Sequence, residues 1–274
     1  KVHNRGSYKS RRRSVHLMTT TTYEFIQCAV ADGIATITLN QSPVNVLDIP
    51  MMTEINAALD EITSQDVAVI VFNAVNKAFC AGVDVSDHEE DKVDEMVKQF
   101  HGIFRRLAAC DALSIAAVNG AALGGGMELA CFCDIVLASA KSKFGQPEVK
   151  VGVFPPVAAA MLPLQIGTRK ATELVVCGDT IKADEAHRIG LVSHVYDVET
   201  FDADVETYVS KLRCLSRPVV RMAKKACTVA DRAEVMRRLD EAEKIYMEEL
   251  MKLADAHEGI AAFLDKREAN WSHS

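Results

Sequence analysis

The sequence predicts an α/β fold: a layered βα core with parallel strand pairing, followed by a helical C-terminal region. Three observations point there. Short, continuously apolar runs at Val67–Phe72, Ser114–Val118 and Asp134–Ala138 read as strands buried on both faces. Segments of helical period stand between them, which favours crossover connections. From Val157 onward the character changes, and nearly every segment reads as helix.

In chain order, Glu24–Val30 and Gly33–Leu39 read as two strands joined by a turn at Ala31–Gly33. Ile49–Ser64 is an amphipathic helix, with Met52, Ile55, Ala58, Leu59 and Ile62 on one face. The strand at Val67–Phe72 leads into a Gly- and Asp-containing loop at 76–90. Val93–Cys110 is helical and precedes the strand Ser114–Val118. A glycine loop at Leu123–Gly126 opens a helix at Met127, and Asp134–Ala138 follows as the third buried strand. Helices are then expected at Thr168–Val176, Lys182–Arg188, Phe201–Leu215, Pro218–Ala230, Ala233–Leu253 and Ala256–Asn270. No internal repeat or low-complexity linker is visible.

The 274 residues suffice for one large domain with a well-buried core. Residues 1–17 carry Lys1, Arg5, Lys9, Arg11, Arg12 and Arg13 and no acid. They read as an expression leader, with a transit peptide as the alternative. Setting those six cations aside takes the net charge from −7 to −13. An acidic body argues against general nucleic-acid or membrane-surface binding, and no apolar run approaches the roughly 20 residues of a membrane span. The core is expected over 18–210 and the helical region over 211–274. Eight cysteines, without CxxC spacing or a signal peptide, read as reduced, buried thiols of a cytoplasmic protein. Cys177, after Val175 and Val176, is one example.

Three segments carry candidate chemistry. Asn119–Glu128 follows a strand and contains Gly124, Gly125 and Gly126 in succession. Such a run costs backbone entropy. It fits a helix start whose free N–H groups face an anion, or a turn packed tightly under a neighbouring strand. Glu128 lies about one turn into that helix, and helical side chains lean back toward the N-terminus. The second segment, Lys77-Ala78-Phe79-Cys80-Ala81-Gly82-Val83-Asp84, also follows a strand; taken alone it reads as a simple loop after that strand, but it can supply a second backbone donor. The third is Phe144-Gly145-Gln146-Pro147-Glu148. A lone glutamate is usually a solvated group, but two brought together form an acid/base pair, because one can hold a proton while the other does not.

Together these segments resemble the enoyl-CoA hydratase/isomerase (crotonase) family over Tyr23 to Trp271. The combination of Ala78-Phe79-Cys80-Ala81-Gly82 with Leu123-Gly124-Gly125-Gly126-Met127-Glu128 is specific, and Glu148 follows Glu128 by 20 positions, as in family hydratases. The end, Glu258 to Trp271, is similar to the family's C-terminal helix. The resemblance implies a crotonase-like ββα spiral core. It implies that the backbone N–H groups of Val83 and Gly125 form an oxyanion hole for a thioester oxygen, and that Glu128 and Glu148 activate water, either one serving as base. Ala81, Gly82, Asp84, Gly124, Pro155, Pro156 and Lys266 would contact the acyl-CoA. Coenzyme A enters as part of the substrate, with no other cofactor and no metal, and the assembly implied is a homotrimer or hexamer. None of the eight histidines falls in the three segments; His88 is nearest and reads as a surface loop residue.

Retention of both glutamates favours hydration over isomerisation. Two departures bear on the substrate. Val151-Gly152-Val153-Phe154-Pro155-Pro156-Val157-Ala158-Ala159-Ala160 stands where family hydratases carry a glycine-rich Pro-Gly-Ala-Gly-Gly segment, and Ser86 replaces a common lysine. The proline pair predicts a stiff apolar wall. That segment resembles the cyclohexa-1,5-diene-1-carbonyl-CoA hydratases of anaerobic aromatic degradation, which implies a cyclic, conjugated acyl group. The bland alternative is a short linear enoyl-CoA. Competing readings are a crotonase-fold isomerase or C–C lyase, an RNA-binding member using Arg217, Arg221, Lys224 and Lys225, and a silent assembly protein.

Overall fold

A computed structural model describes residues 19–274, with side chains described from Tyr23 onward; the expected leader at 1–17 lies outside the described residues. After β1 (Thr19–Thr22) and β2 (Ile26–Ala31), the chain repeats one pattern. A strand of the main sheet is followed by a short strand of a second layer and then by a helix. The first turn is β3 (Ile34–Leu39), β4 (Val46–Leu47) and α1 (Ile49–Thr63). The second is β5 (Val69–Ala74), β6 (Gly82–Val83) and α2 (Val93–Ala109). The third is β7 (Leu113–Val118), β8 (Ala121–Leu123) and α3 (Gly125–Phe132). The fourth is β9 (Ile135–Ser139), β10 (Lys143–Gly145) and, after a 3₁₀ turn at Pro147–Val151, α4 (Pro156–Ile166). This is the ββα spiral. The repeat is absent from the sequence because each turn needs only an apolar strand and an amphipathic helix, not recurring residues.

The main sheet runs β1-β2-β3-β5-β7-β9-β12, antiparallel through β3 and parallel thereafter, with β12 at His194–Tyr196. The central parallel strands β5, β7 and β9 bury both faces, as continuous apolar runs should, while the edge strand β12 is partly exposed. Ile70 and Phe72 face the main core, where α1, α2 and α3 pack, while Val69 and Val71 join Ile115, Ala117 and Leu137 in a second cluster with Phe201 and Val209 of α7 (Phe201–Arg213). In the second layer β4 pairs β6 and β8 pairs β10, both parallel, and a bridge from Cys80 to Ala122 joins the two pairs.

The helical region begins with α5 (Thr168–Cys177), β11 (Thr180–Lys182) and α6 (Ala183–Arg188), and continues after α7 with α8 (Arg217–Glu248) and α9 (Ala254–Leu264). Here several expectations are corrected. α8 is one 32-residue helix rather than two. The last helix ends at Leu264, because Glu258 turns the following chain back by pairing with Arg267 and accepting from the Asn270 N–H at 2.7 Å. The segment expected as a stiff wall is the helix α4. Its residues are apolar on nearly every side, which hides the period, and Pro156 occupies the first helical position, where a missing N–H costs nothing. The short strands β4, β6, β8, β10, β11 and β12 are too brief to carry a period. All eight cysteines are free, but Cys177, Cys214 and Cys227 are exposed rather than buried; Cys177 and Val176 sit on the outer face of α5. No helix among the described residues is long and apolar enough to cross a membrane.

The basic stretch of α8 is no free cationic patch. Arg217 and Arg221 pair with Asp66, Lys225 stands 3.8 Å from Asp111, and Lys224 is buried on Asp134 at 3.0 Å. Asp134 also binds Arg232 at 2.6 Å and accepts the Ser114 N–H at 2.7 Å, so it locks α8 to the start of β9 and β7. Removing one partner of a buried pair strands the other's charge. Asp134→Ala should therefore lower unfolding stability by about 3–5 kcal/mol, read from urea denaturation. A loss under about 1 kcal/mol, the value typical of a surface pair, would show that α8 is held by other means.

Candidate active site

Three successive turns of the spiral deliver their second-layer strands side by side, and the three sequence segments occupy the connections that leave them. Val83 ends β6, Gly124 and Gly125 follow β8, and Glu148 follows β10. The loop before β6 is held by buried Asn45, whose side-chain nitrogen donates to Val75 O at 2.7 Å and Ala78 O at 2.9 Å. Pairing of Leu47 with Val83 fixes the strand itself.

The glycine run is required by close approach on every side. A Cβ on Gly124, whose φ is +50°, would stand 2.6 Å from Glu148 Oε1. One on Gly125 would stand 2.7 Å from Val83 Cγ2 and 2.9 Å from Phe100 Cζ. The tightly packed turn expected for this run is therefore present, and what Gly124 and Gly125 pack against is Glu148, Val83 and Phe100. Gly125 opens α3, so its N–H has no carbonyl partner within the helix.

Glu128 projects from the first turn of α3 and is 2% exposed. Its Oε1 accepts the Ala158 N–H at 2.7 Å, and the Val157 N–H also favours its charged form. Burial outweighs these bonds and pushes its pKa up to about 7. Glu148 is raised well above the ordinary carboxylate range, first by burial and then by the charge of Glu128. The buried Gln146 amide, turned so that its nitrogen is the near atom, lies 3.1 Å from Glu148 Oε1. Two carboxyls that resist joint ionisation hold a proton near neutrality, the state an acid/base pair needs.

Both glutamates line a cavity of about 420 Å³. Ala81, Gly82, Val83, Gly124, Gly125, Pro155 and Pro156 line it as well, so the expected site residues converge with two exceptions. Asp84 caps the 3₁₀ turn at Val85–His88, accepting the Ser86 N–H at 2.8 Å, and lies outside the lining. Lys266 lies beyond the end of α9, also outside it; Ile260 and Phe263 of that helix line the cavity instead. His88 is corrected: it lines the cavity, its Nδ1 3.0 Å from Asp84 O, and burial lowers its pKa.

Sequence reasoning missed the apolar and polar groups that α2 and α8 contribute. Phe100 and His101 come from α2 and Tyr246 from α8, and all three reach the lining. His101 is buried, with Nδ1 2.6 Å from Glu243, which Arg105 also holds at 2.8 Å. Their separation from the glutamates in sequence left no local signal. Among the described residues no group of three or more His, Cys, Asp or Glu is gathered as metal ligands would be. The arrangement offers backbone donors beside a helix start and two buried carboxyls with raised pKa values on one largely apolar chamber.

Comparison with known proteins gives a consistent result. Residues 29–274 match the Enoyl-CoA hydratase/isomerase family. The chain is 34% identical over 230 residues to cyclohexa-1,5-dienecarbonyl-CoA hydratase of Thauera aromatica, covering 84% of this chain and 89% of that protein. It is 33% identical over 259 residues to crotonyl-CoA hydratase of Syntrophomonas wolfei, covering 91% and 98%. The crystal structure of an enoyl-CoA hydratase from Mycobacterium avium subsp. paratuberculosis superposes with a TM-score of 0.83 at 26% identity, covering 92% of this chain and all of that one.

The raised glutamates set a pH dependence of stability. For Glu128 the folded pKa of about 7 exceeds the ordinary 4.5, so the folded state binds the extra proton between those values. Stability is then undiminished below about pH 4.5 and falls as pH rises toward 7. Glu148→Gln removes one of the two like charges. It should raise Tm by roughly 2–5 °C at pH 8 and by much less at pH 4.5. A melting-temperature series across that range checks this; an equal shift at both ends would mean that charge is not the cause.

Proposed function

This chain belongs to the enoyl-CoA hydratase/isomerase family, and from that premise we propose that it adds water across the activated double bond of an α,β-unsaturated acyl-CoA thioester. The observation that carries the reading is the meeting of Glu128, Glu148 and the Val83–Gly125 pair on one cavity. The thioester oxygen would sit against the Val83 and Gly125 N–H groups, with the double bond lying toward the carboxyls. The ionised member of the pair takes a proton from water as its oxygen attacks the β carbon. Negative charge then builds on the thioester oxygen as an enolate. The two fixed backbone donors stabilise that charge more in the transition state than in the ground state. The protonated member delivers its proton to the α carbon. Possession of both carboxyls supports hydration over double-bond migration, which needs no water-activating pair.

The acyl group proposed is cyclic and conjugated. Pro155 and Pro156 line the cavity, Pro155 as the cap and Pro156 as the first residue of α4, which is itself anchored by Glu128. Phe154 packs edge-on to Tyr246, their ring centroids 5.4 Å apart. A wall stiffened in this way suits a compact, preformed substrate better than a flexible chain. The likeness to the Thauera aromatica hydratase supports the same reading.

Two measurements test these statements. Glu128→Gln and Glu148→Gln should each fold and lose at least about 10²-fold in hydration rate, followed by ¹⁸O incorporation from labelled water; full activity in either folded variant rejects the acid/base assignment. For the substrate, kcat/KM for cyclohexa-1,5-diene-1-carbonyl-CoA should exceed that for crotonyl-CoA. A preference of tenfold or more for the linear thioester, about 1.4 kcal/mol of transition-state binding, would overturn the cyclic assignment.

A further inference from the structure

Tyr246 breaks the rule that a buried polar group finds a partner. It is 2% exposed, and its hydroxyl makes no hydrogen bond within the chain. A buried donor without a partner is costly and persists where function needs it. Its ring is held in place by Phe154 edge-on at 71°, and one turn earlier on α8 Glu243 is tied to His101 and Arg105. The residue lines the cavity with both glutamates. Burial first, and then the charges of Glu148 and Glu128, raise the pKa of the phenol and hold it protonated, so it serves as a donor and not as a base.

We propose that the Tyr246 hydroxyl is the third polar contact at the hydration site, donating a hydrogen bond to the oxygen borne by the β carbon. This rests on the hydratase reading and extends it. Glu128 and Glu148 exchange protons with the incoming water, whereas Tyr246 transfers none and only orients the oxygen. Because that oxygen is joined to the acyl chain only after addition, the contact discriminates an oxygenated acyl group from its unsaturated or saturated counterpart.

The test compares wild type with Tyr246→Phe, which removes only the hydroxyl. Its Tm should be equal or higher, because an unpartnered buried donor is lost. Hydration kcat/KM should fall about tenfold, the scale of one hydrogen bond. Calorimetric binding of acetoacetyl-CoA and butyryl-CoA separates this role from a structural one. The two ligands differ at the β carbon, where acetoacetyl-CoA carries an oxygen that cannot be eliminated as water. Wild type should prefer acetoacetyl-CoA, and Tyr246→Phe should lose about tenfold of that preference. An unchanged preference, or equal weakening of both ligands, overturns the proposal. If wild type hydrates no enoyl-CoA, the hydratase reading fails, while the binding ratio still decides the role of Tyr246.

Discussion

The site depends on one contact: the carboxylate of Glu128 seated on the start of α4. Pro156 has no N–H, and the Ala159 N–H is already spent on Pro155 O at 3.0 Å. That leaves Val157 and Ala158 as the open donors of the first turn, and Glu128 engages both. Two opposed effects meet there. The helix start favours the ionised carboxylate, while complete burial disfavours it, and burial wins, leaving a pKa near 7. A carboxylate with only the first effect would be permanently charged, and one with only the second would be permanently neutral. The balance is what makes the group usable in proton transfer near neutrality.

The same contact organises its surroundings. It ties α3 to α4, helices from consecutive turns of the spiral, and so fixes the Phe154-Pro155-Pro156 wall relative to the glycine run. Phe154 in turn braces Tyr246, which brings α8 into the cavity. At its other end α8 is fixed by Lys224 and Arg232 on Asp134, two residues past the end of α3. A long helix anchored at both ends presents one face to the chamber, with Glu243 and Tyr246 one turn apart on it.

Much of this was legible in the sequence, for identifiable reasons. Buried parallel strands announce themselves because both faces must be apolar. Gly124-Gly125-Gly126 stood out because three adjacent glycines are costly without a steric cause, and the causes proved to be Glu148, Val83 with Phe100, and Cys80. The stiffness of Pro155 and Pro156 is legible in the sequence, but their place at a helix start is not, since a uniformly apolar helix lacks the alternation that reveals one. The place of His88 on the cavity is hidden in the sequence because a short 3₁₀ turn reads as an exposed loop. Asp84 and Lys266 carried expected roles in substrate contact that the cavity lining does not include.

The sequence by itself determined the α/β class and the parallel core, because strand burial and helix period act within a few residues, whereas the grouping of Glu128, Glu148, Val83 and Gly125 rested on the resemblance of three separate segments to one family. Only the tertiary structure decided that Phe100, His101 and Tyr246 share the cavity with that set, and that the basic face of α8 is neutralised. Tyr246 is 98 positions from Glu148, and no local rule relates them. Their proximity follows from how α8 packs across α4, a consequence of many side chains filling one interior at once.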